Sequence, residues 1–221
     1  MSGSRARLLH WDRAGCVVTE AFDIRDQPDL FCEFLGRFAF ASNSMRGHDM
    51  SVEMALSEET LFRDVITEYA QSQLGQGESL AAFVDRHYWP GHVVAVQVLH
   101  HRFTASSENT RRFLVSRPVI TSSSLHGRGT RGYWAVDPTT RQVVFLKDTW
   151  RSSPSSEAEG NVLRRLSDLG VRNVPSLVWH GDVPLDIPPE PRKLTGELSL
   201  RFALRTTSLI PSSERVPIHN L

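Results

Sequence analysis

The chain has 221 residues, with 25 basic and 25 acidic side chains and a formal net charge of zero. This length allows one domain or two small ones, burying roughly 70% of the unfolded surface. Balanced charge gives no sign of a nucleic-acid partner, and the longest apolar stretch, VVAVQVL, is too short to span a bilayer. Two cysteines, Cys16 and Cys32, and a polar N-terminus without a signal-peptide core predict a reduced, intracellular setting.

The N-terminal residues predict a hairpin followed by a helix. Residues 8 to 24 alternate apolar and polar and are rich in β-branched side chains, as in paired strands. Asp26 can cap a helix with Pro28 in its first turn. The apolar residues of that helix recur at helical spacing and predict a core-facing stripe: Leu30, Phe31, Phe34, Leu35 and Phe38. The polar loop 42 to 56 contains Arg46-Gly47-His48-Asp49, to which no chemistry is assigned.

A second helix and two strands follow. Ser57, with two acidic residues after it, predicts the start of an amphipathic helix that runs to about Leu74. Residues 79 to 92 are compatible with a short helix that ends near Trp89-Pro90, since the residue before proline disfavours helical geometry. Residues 93 to 103 and 111 to 120 read as two strands joined by a polar loop.

A glycine turn, a strand with a lysine and a helix with a glutamate come next. Gly127, Gly129 and Gly132 allow close approach of the backbone to a ligand and present N–H groups to phosphate oxygens. Lys147, in the apolar run VVFLKDTW, is a cation that reaches the same oxygens. Glu159, one turn into the predicted helix EAEGNVLRRL, can pair with the lysine.

The glycines fit the spacing GxGxxG, but they open a hairpin and not a helix. A dinucleotide-binding turn needs strand, glycines and then helix, so this context counts against it. It suits the glycine-rich loop of protein kinases, in which two strands flank the turn and a lysine lies on the third.

The residues from about 8 to 183 resemble the N-terminal part and small lobe of the fungal-type protein kinase family. The segments that carry this resemblance are HWDRAGCVV, FLGRF, RGHDMSV, the glycine loop, VFLKDTWR and GVRNVPSLVWHGDV. The resemblance implies that Gly127, Gly129 and Gly132 lie over the phosphates of ATP and that Lys147 is the third-strand lysine. It also implies that Glu159 is the glutamate of helix C, with Glu157 as the fallback. Trp134 stands where many kinases have a valine that packs on adenine.

The catalytic half of a kinase has no counterpart in this sequence. Kinases need a catalytic loop with an aspartate and a metal-binding asparagine, then Asp-Phe-Gly. His180-Gly181-Asp182 resembles the start of the catalytic loop but lies too close to Lys147. Asp168-Leu169-Gly170 resembles Asp-Phe-Gly, but it precedes His180-Gly181-Asp182 instead of following it. We interpret both as turns around the helix end and predict no catalytic residue. We also expect that this chain alone does not hold magnesium.

The nine histidines do not predict a metal site. His87 with His92, or His100 with His101, lacks third and fourth ligands at suitable spacing. Adjacent histidines on a strand also face opposite ways. Solvated or hydrogen-bonded histidines are the favoured interpretation.

The last part of the chain is rich in proline and then lacks a sustained period. Residues 184 to 191 predict an extended linker, and residues 194 to 221 predict a poorly ordered tail. Pairing of the segment LSLRFALRTT as a strand is left open.

We therefore expect an α+β fold in three segments: an N-terminal extension (1–110), a kinase-like small lobe with an antiparallel sheet and one helix C (111–183), and a linker with a divergent tail (184–221). The leading hypothesis is the ATP-phosphate-binding part of a kinase domain, inactive alone. The family reaction is phosphoryl transfer from ATP to a protein hydroxyl. One alternative is a non-catalytic interaction module that binds another protein through apolar surface near 174 to 179, normally covered by the other lobe. Another is a truncated product without a selected activity.

Overall fold

The computed structural model describes residues 4–11, 15–75, 79–99, 110–124, 128–151, 157–183 and 202–209. The helices in these ranges are α1 (Pro28–Phe40), α2 (Glu59–Gln73), α3 (Leu80–Asp85) and α4 (Glu159–Asp168). The strands are β1 (Arg5–Ala6), β2 (Leu9–Trp11), β3 (Cys16–Val18), β4 (Phe22–Asp23), β5 (Val52–Met54), β6 (Val94–Leu99), β7 (Thr110–Val115), β8 (Arg131–Asp137), β9 (Gln142–Arg151), β10 (Leu177–Asp182) and β11 (Phe202–Leu209). No described helix combines the length and apolar character needed to cross a membrane.

The centre of the fold is a seven-stranded sheet with the order β10-β11-β9-β8-β7-β6-β5. All of its neighbouring strands are antiparallel. Strands β2 and β3 form the predicted N-terminal hairpin. A second small ribbon pairs β4 with β1, which lies before the predicted range of residues 8 to 24. The predicted boundary at residue 110 falls where β7 begins, and β7 pairs with β6 of the extension. The extension and the following segment therefore share one sheet, while the three-segment division stays a prediction.

The two faces of the sheet bury different cores. On one face, Phe62, Val65 and Ile66 of α2 pack with Leu114 and Val136. Residues of β6, β7, β8 and β9 fill the second core on the opposite face: Val96, Val98, Phe113, Val115, Ala135, Val144 and Leu146. The indole of Trp179 on β10 donates to the carbonyl of Val98 on β6 at 3.0 Å, although four strands separate β10 from β6. The sheet is therefore curled around the second core, as right-handed strand twist favours.

Helix α1 differs from the prediction in both its start and its packing. It follows Gln27, whose side chain makes no cap, so Asp26 is not the capping residue. None of its residues is buried, and Phe34 and Phe38 are 37% and 50% exposed. The predicted core-facing stripe is therefore wrong, because apolar spacing identifies one side of a helix without identifying what covers it. The C-terminal end is capped by Arg46, which donates to the carbonyl of Ala39 at 2.7 Å.

The other predicted N-terminal elements are confirmed with shifted ends. A 3-10 turn, Leu56–Glu58, precedes α2 and contains Ser57, which does not cap the helix as predicted. Ser79 caps α3 by accepting from the N–H of Ala82 at 3.4 Å. The strand that the sequence left open in the tail is β11, inserted between β9 and β10. The predicted proline-rich linker lies outside the described residues.

Candidate functional site

The glycine turn is anchored at the end of β9, just beyond Lys147. Gly129 has φ +49°, in the left-handed region that glycine adopts without a Cβ penalty. On one side of it, the carbonyl of Arg128 accepts from the N–H of Trp150 at 2.8 Å. On the other side, the hydroxyls of Thr130 and Thr149 lie 3.0 Å apart and share a hydrogen bond. Gly127 lies outside the described residues.

The third glycine of the motif lies directly opposite the lysine. Gly132 on β8 and Lys147 on β9 are register partners. Side chains of directly opposite residues on antiparallel strands project from the same face of the sheet. Lys147 therefore projects on the face where Gly132 has no side chain. A Cβ at Gly132 would lie 2.6 Å from Cζ of Phe145 and 3.2 Å from Cβ of Ile120. A side chain at this position would therefore crowd Phe145 and Ile120.

Lys147 and the predicted helix glutamate form an ion pair. Nζ of Lys147 lies 2.6 Å from Oε2 of Glu159, with 34% and 41% of the two side chains exposed. Glu159 is the first residue of α4, so it lies at the helix start and not one turn into it as predicted. A carboxylate is favoured there by the positive end of the helix dipole. Glu157, the fallback, instead pairs with Arg165 at 3.0 Å.

Four residues that pair across neighbouring strands form one row through the candidate site. His180 on β10 pairs with Thr206 on β11, Thr206 pairs with Lys147 on β9, and Lys147 pairs with Gly132 on β8. His180 and Lys147 therefore lie two strands apart, about 10 Å by ordinary strand spacing. His180 was missed as a site residue because its place in the row depends on β11, which has no strong sequence pattern.

The two imitations of kinase motifs lie in different structures. His180-Gly181-Asp182 forms the end of strand β10, so its interpretation as a turn is wrong; pairing with β11 makes it a strand. Asp168-Leu169-Gly170 is the end of α4, as predicted. Gly170 has φ +67° and donates to Ser167, and the next N–H donates to Leu166 at 3.0 Å. This pair of bonds is the Schellman arrangement of helix ends.

Trp134, two residues along β8 from Gly132, is covered by the N-terminal helices. The ring of His87 stacks on it with centroids 3.8 Å apart and 10° between the planes. Phe83 of α3 and Tyr69 of α2 contact the same indole at 5.2 and 5.0 Å. His87 is buried, and burial, with a smaller contribution from Arg86, lowers its pKa to about 4. The indole therefore anchors the extension to the sheet.

The second histidine of the pair His87 and His92 also lies among aromatic rings. His92 packs against Trp89 with centroids 4.4 Å apart. Among the described residues, no group of three or more histidine, cysteine or acidic side chains is arranged to hold a metal ion. Both cysteines, Cys16 and Cys32, are free thiols. His100 and His101 lie outside the described residues.

Comparison with known proteins identifies the family. The family model described as "Fungal protein kinase" matches residues 1–193, which is most of the chain. The chain belongs to this family, and membership indicates a protein-kinase-like function that uses ATP. Searches of curated proteins and of solved structures find no match.

Proposed function

We propose that this chain binds the phosphates of ATP through Lys147 and the glycine turn, as the phosphate-holding small lobe of a protein kinase domain. The observation that carries the proposal is the Lys147–Glu159 ion pair opposite Gly132. In active protein kinases the third-strand lysine pairs with the helix-C glutamate, and a glycine-rich loop covers the phosphates. The residues that support the proposal here are Lys147, Glu159 in an ion pair with it, and Gly132 opposite the lysine on the neighbouring strand.

The lysine is chemically suited to this role. Its ammonium group is a compact charge that donates up to three hydrogen bonds, while its stem is held by a paired strand. Glu159 holds the ammonium group at the helix start. N–H groups in the turn around Gly129 would add donors for phosphate oxygens. Lysine occurs in the sequence only at positions 147 and 193, whereas most of the 25 basic residues are arginine.

We further propose that the phosphates, and not the adenine, dominate binding. Trp134 is stacked against His87 and contacts Phe83, so this indole face is already occupied. Adenine would have to pack elsewhere on the face of the sheet that carries Trp134. Phe145, on that face, is half-buried. Tripolyphosphate should then bind comparably to ATP, and adenosine should bind far more weakly.

We propose that this chain alone does not transfer phosphate. The sequence holds no catalytic-loop aspartate to accept the proton of the substrate hydroxyl. It also holds no catalytic-loop asparagine and no Asp-Phe-Gly, which bind the two magnesium ions in kinases. ATP turnover by the purified chain, abolished in K147A, would overturn this part of the proposal.

Thermal unfolding in the presence of ATP tests the binding directly. A ligand that binds only the folded state raises the midpoint, by about 2.7 kcal/mol of stability at a hundredfold excess over Kd. We expect a shift for the wild-type chain and for K193M, which removes the other lysine. K147M should unfold near the wild-type midpoint without ATP and respond little to ATP. An equal shift in K147M and wild type would refute the proposal.

A second proposal is a non-catalytic interaction module that binds another protein. The predicted apolar surface near 174 to 179 is partly covered, since Leu177, Val178 and Trp179 are half-buried. The observation that favours a module is the apolar side of α1, where Leu30 and Leu35 are 48% and 47% exposed. Size-exclusion chromatography and pull-down should compare the wild type with F34S/F38S. A wild type that stays monomeric and captures no protein counts against this proposal.

A further inference from the structure

The first turn of α4 is fitted to His180 through a single glycine. Gly160, the residue after Glu159, is buried. An ideal Cβ at Gly160 would lie 2.6 Å from Cβ of His180 and closer still to its Cγ. Ordinary contacts of this kind are 3.4–4 Å. Because Cβ of His180 is fixed by the strand backbone, rotation of the side chain does not relieve the clash.

His180 is also contacted one turn further along the helix. Nη2 of Arg164 lies 3.1 Å from Nε2 of His180. Arginine only donates, so Nε2 accepts in this bond and the imidazole is in a form with an unprotonated Nε2. His180 itself is 1% exposed. Gly160 and Arg164 lie on the same side of α4, since residues four apart are neighbours on a helix. The two contacts fix both the depth and the rotation of the helix start.

We propose that Gly160 and His180 are positioning residues that set the position of Glu159 against Lys147. His180 and Lys147 lie in the same cross-strand row, and Gly160 and Glu159 are adjacent in α4. The contact of Gly160 with His180 therefore places the side chain of Glu159, the preceding residue, beside Lys147, which lies two strands from His180. A side chain at position 160 would lift the helix start and lengthen the distance between Glu159 and Lys147. The importance of this fit for nucleotide binding rests on the proposed function.

The rate at which an amine-reactive acylating reagent modifies Lys147 tests the fit without nucleotide. Only Lys147, Lys193 and the N-terminus carry primary amines, so mass spectrometry resolves Lys147 and uses Lys193 as an internal reference. E159Q should accelerate acylation of Lys147 about two- to fivefold, the range that a partly exposed ion pair allows. G160A and H180A should each move the rate toward the E159Q value.

Rescue distinguishes positioning from a general loss of stability. In G160A/H180G both the ring and the Cβ that the new methyl group meets are gone, so the acylation rate should return toward the wild-type value. The matched control is G36A in α1, where a Cβ would meet nothing within 4 Å; it should leave Lys147 unchanged. G160A with wild-type reactivity, or a double variant no closer to wild type than G160A, would overturn the proposal.

Every folding outcome of these variants is informative. If G160A does not fold, the double variant decides: folding with wild-type reactivity supports the fit. Folding with E159Q-like reactivity, or failure to fold, overturns it. An ATP titration of the wild type, measured separately, tests the proposed function. A negative titration refutes nucleotide binding while the acylation result on helix position stands.

Discussion

Lys147 on β9 and Gly132 on β8 are direct partners across the two strands, so the lysine side chain projects on the face where Gly132 has no side chain. Glu159 approaches the lysine from α4 at 2.6 Å. A cation that pairs with a carboxylate and lies opposite a glycine is suited to binding phosphate, and the family match to fungal protein kinases agrees with this role.

Glu159, and not Glu157, should support ATP binding. E159Q removes the charge that holds Nζ of Lys147, while E157Q removes only the pair with Arg165. Because both members of the lysine pair are partly exposed, we expect about a two- to fivefold weaker Kd for E159Q. Isothermal titration with ATP measures this effect. E157Q is the matched control, and a larger loss in E157Q would show that the fallback residue is the functional one.

Gly132→Ala should destabilise the fold. The added methyl group meets Phe145 at the flexible end of its ring, but it also meets Cβ of Ile120, which is fixed by the backbone. Overpacking of this kind costs about 1–3 kcal/mol. Urea unfolding measures the cost, and G132A/F145L should recover part of it. A G132A protein as stable as wild type would show that the strands yield easily at this point.

His87 should make stability depend on pH. Its folded pKa of about 4 lies below the ordinary value of 6.5, so the unfolded chain binds the proton more readily. The stabilising contribution is complete above about pH 6.5 and is lost as pH falls toward 4; at most it amounts to about 3 kcal/mol. Urea unfolding of wild type and H87F at several pH values isolates it. Equal slopes for the two proteins between pH 6.5 and 4 would contradict the burial of a neutral imidazole.

Trp134→Val should separate stability from ATP binding. The indole contacts His87, Phe83 and Tyr69, so its truncation should cost about 2–4 kcal/mol. We assign Trp134 to anchoring the N-terminal helices. The Kd of the folded W134V protein for ATP should therefore stay within about twofold of the wild-type value, a difference of about 0.4 kcal/mol in binding free energy. Loss of ATP binding with unchanged stability would instead identify the indole as an adenine contact.

Local patterns predicted the parts of the site that depend on neighbouring residues. The glycine turn, the lysine strand and a helix that contains Glu159 follow from turn chemistry and apolar spacing, although the sequence placed Glu159 one turn too far into that helix. The ion pair agrees with the expected partner. The helix end at Gly170 follows from glycine's tolerance of positive φ.

Features that depend on distant pairing were not predictable in the same way. Strand β11 lies between β9 and β10, yet its residues alone predict little, so the row from His180 to Lys147 was hidden. The exposed side of α1 was assigned to the core because spacing does not report its surroundings. The cover of Trp134 by His87 depends on how α2 and α3 pack on the sheet.

Protection of Lys147 from acylation by ATP tests phosphate binding at this site most directly. Lys193 in the same molecule provides the reference, so the ratio of the two rates is independent of reagent concentration. ATP and tripolyphosphate should slow acylation of Lys147 in proportion to the bound fraction, without slowing Lys193. Adenosine at the same concentration should slow neither. Equal acylation of Lys147 with and without saturating ATP would contradict a phosphate site at the glycine turn.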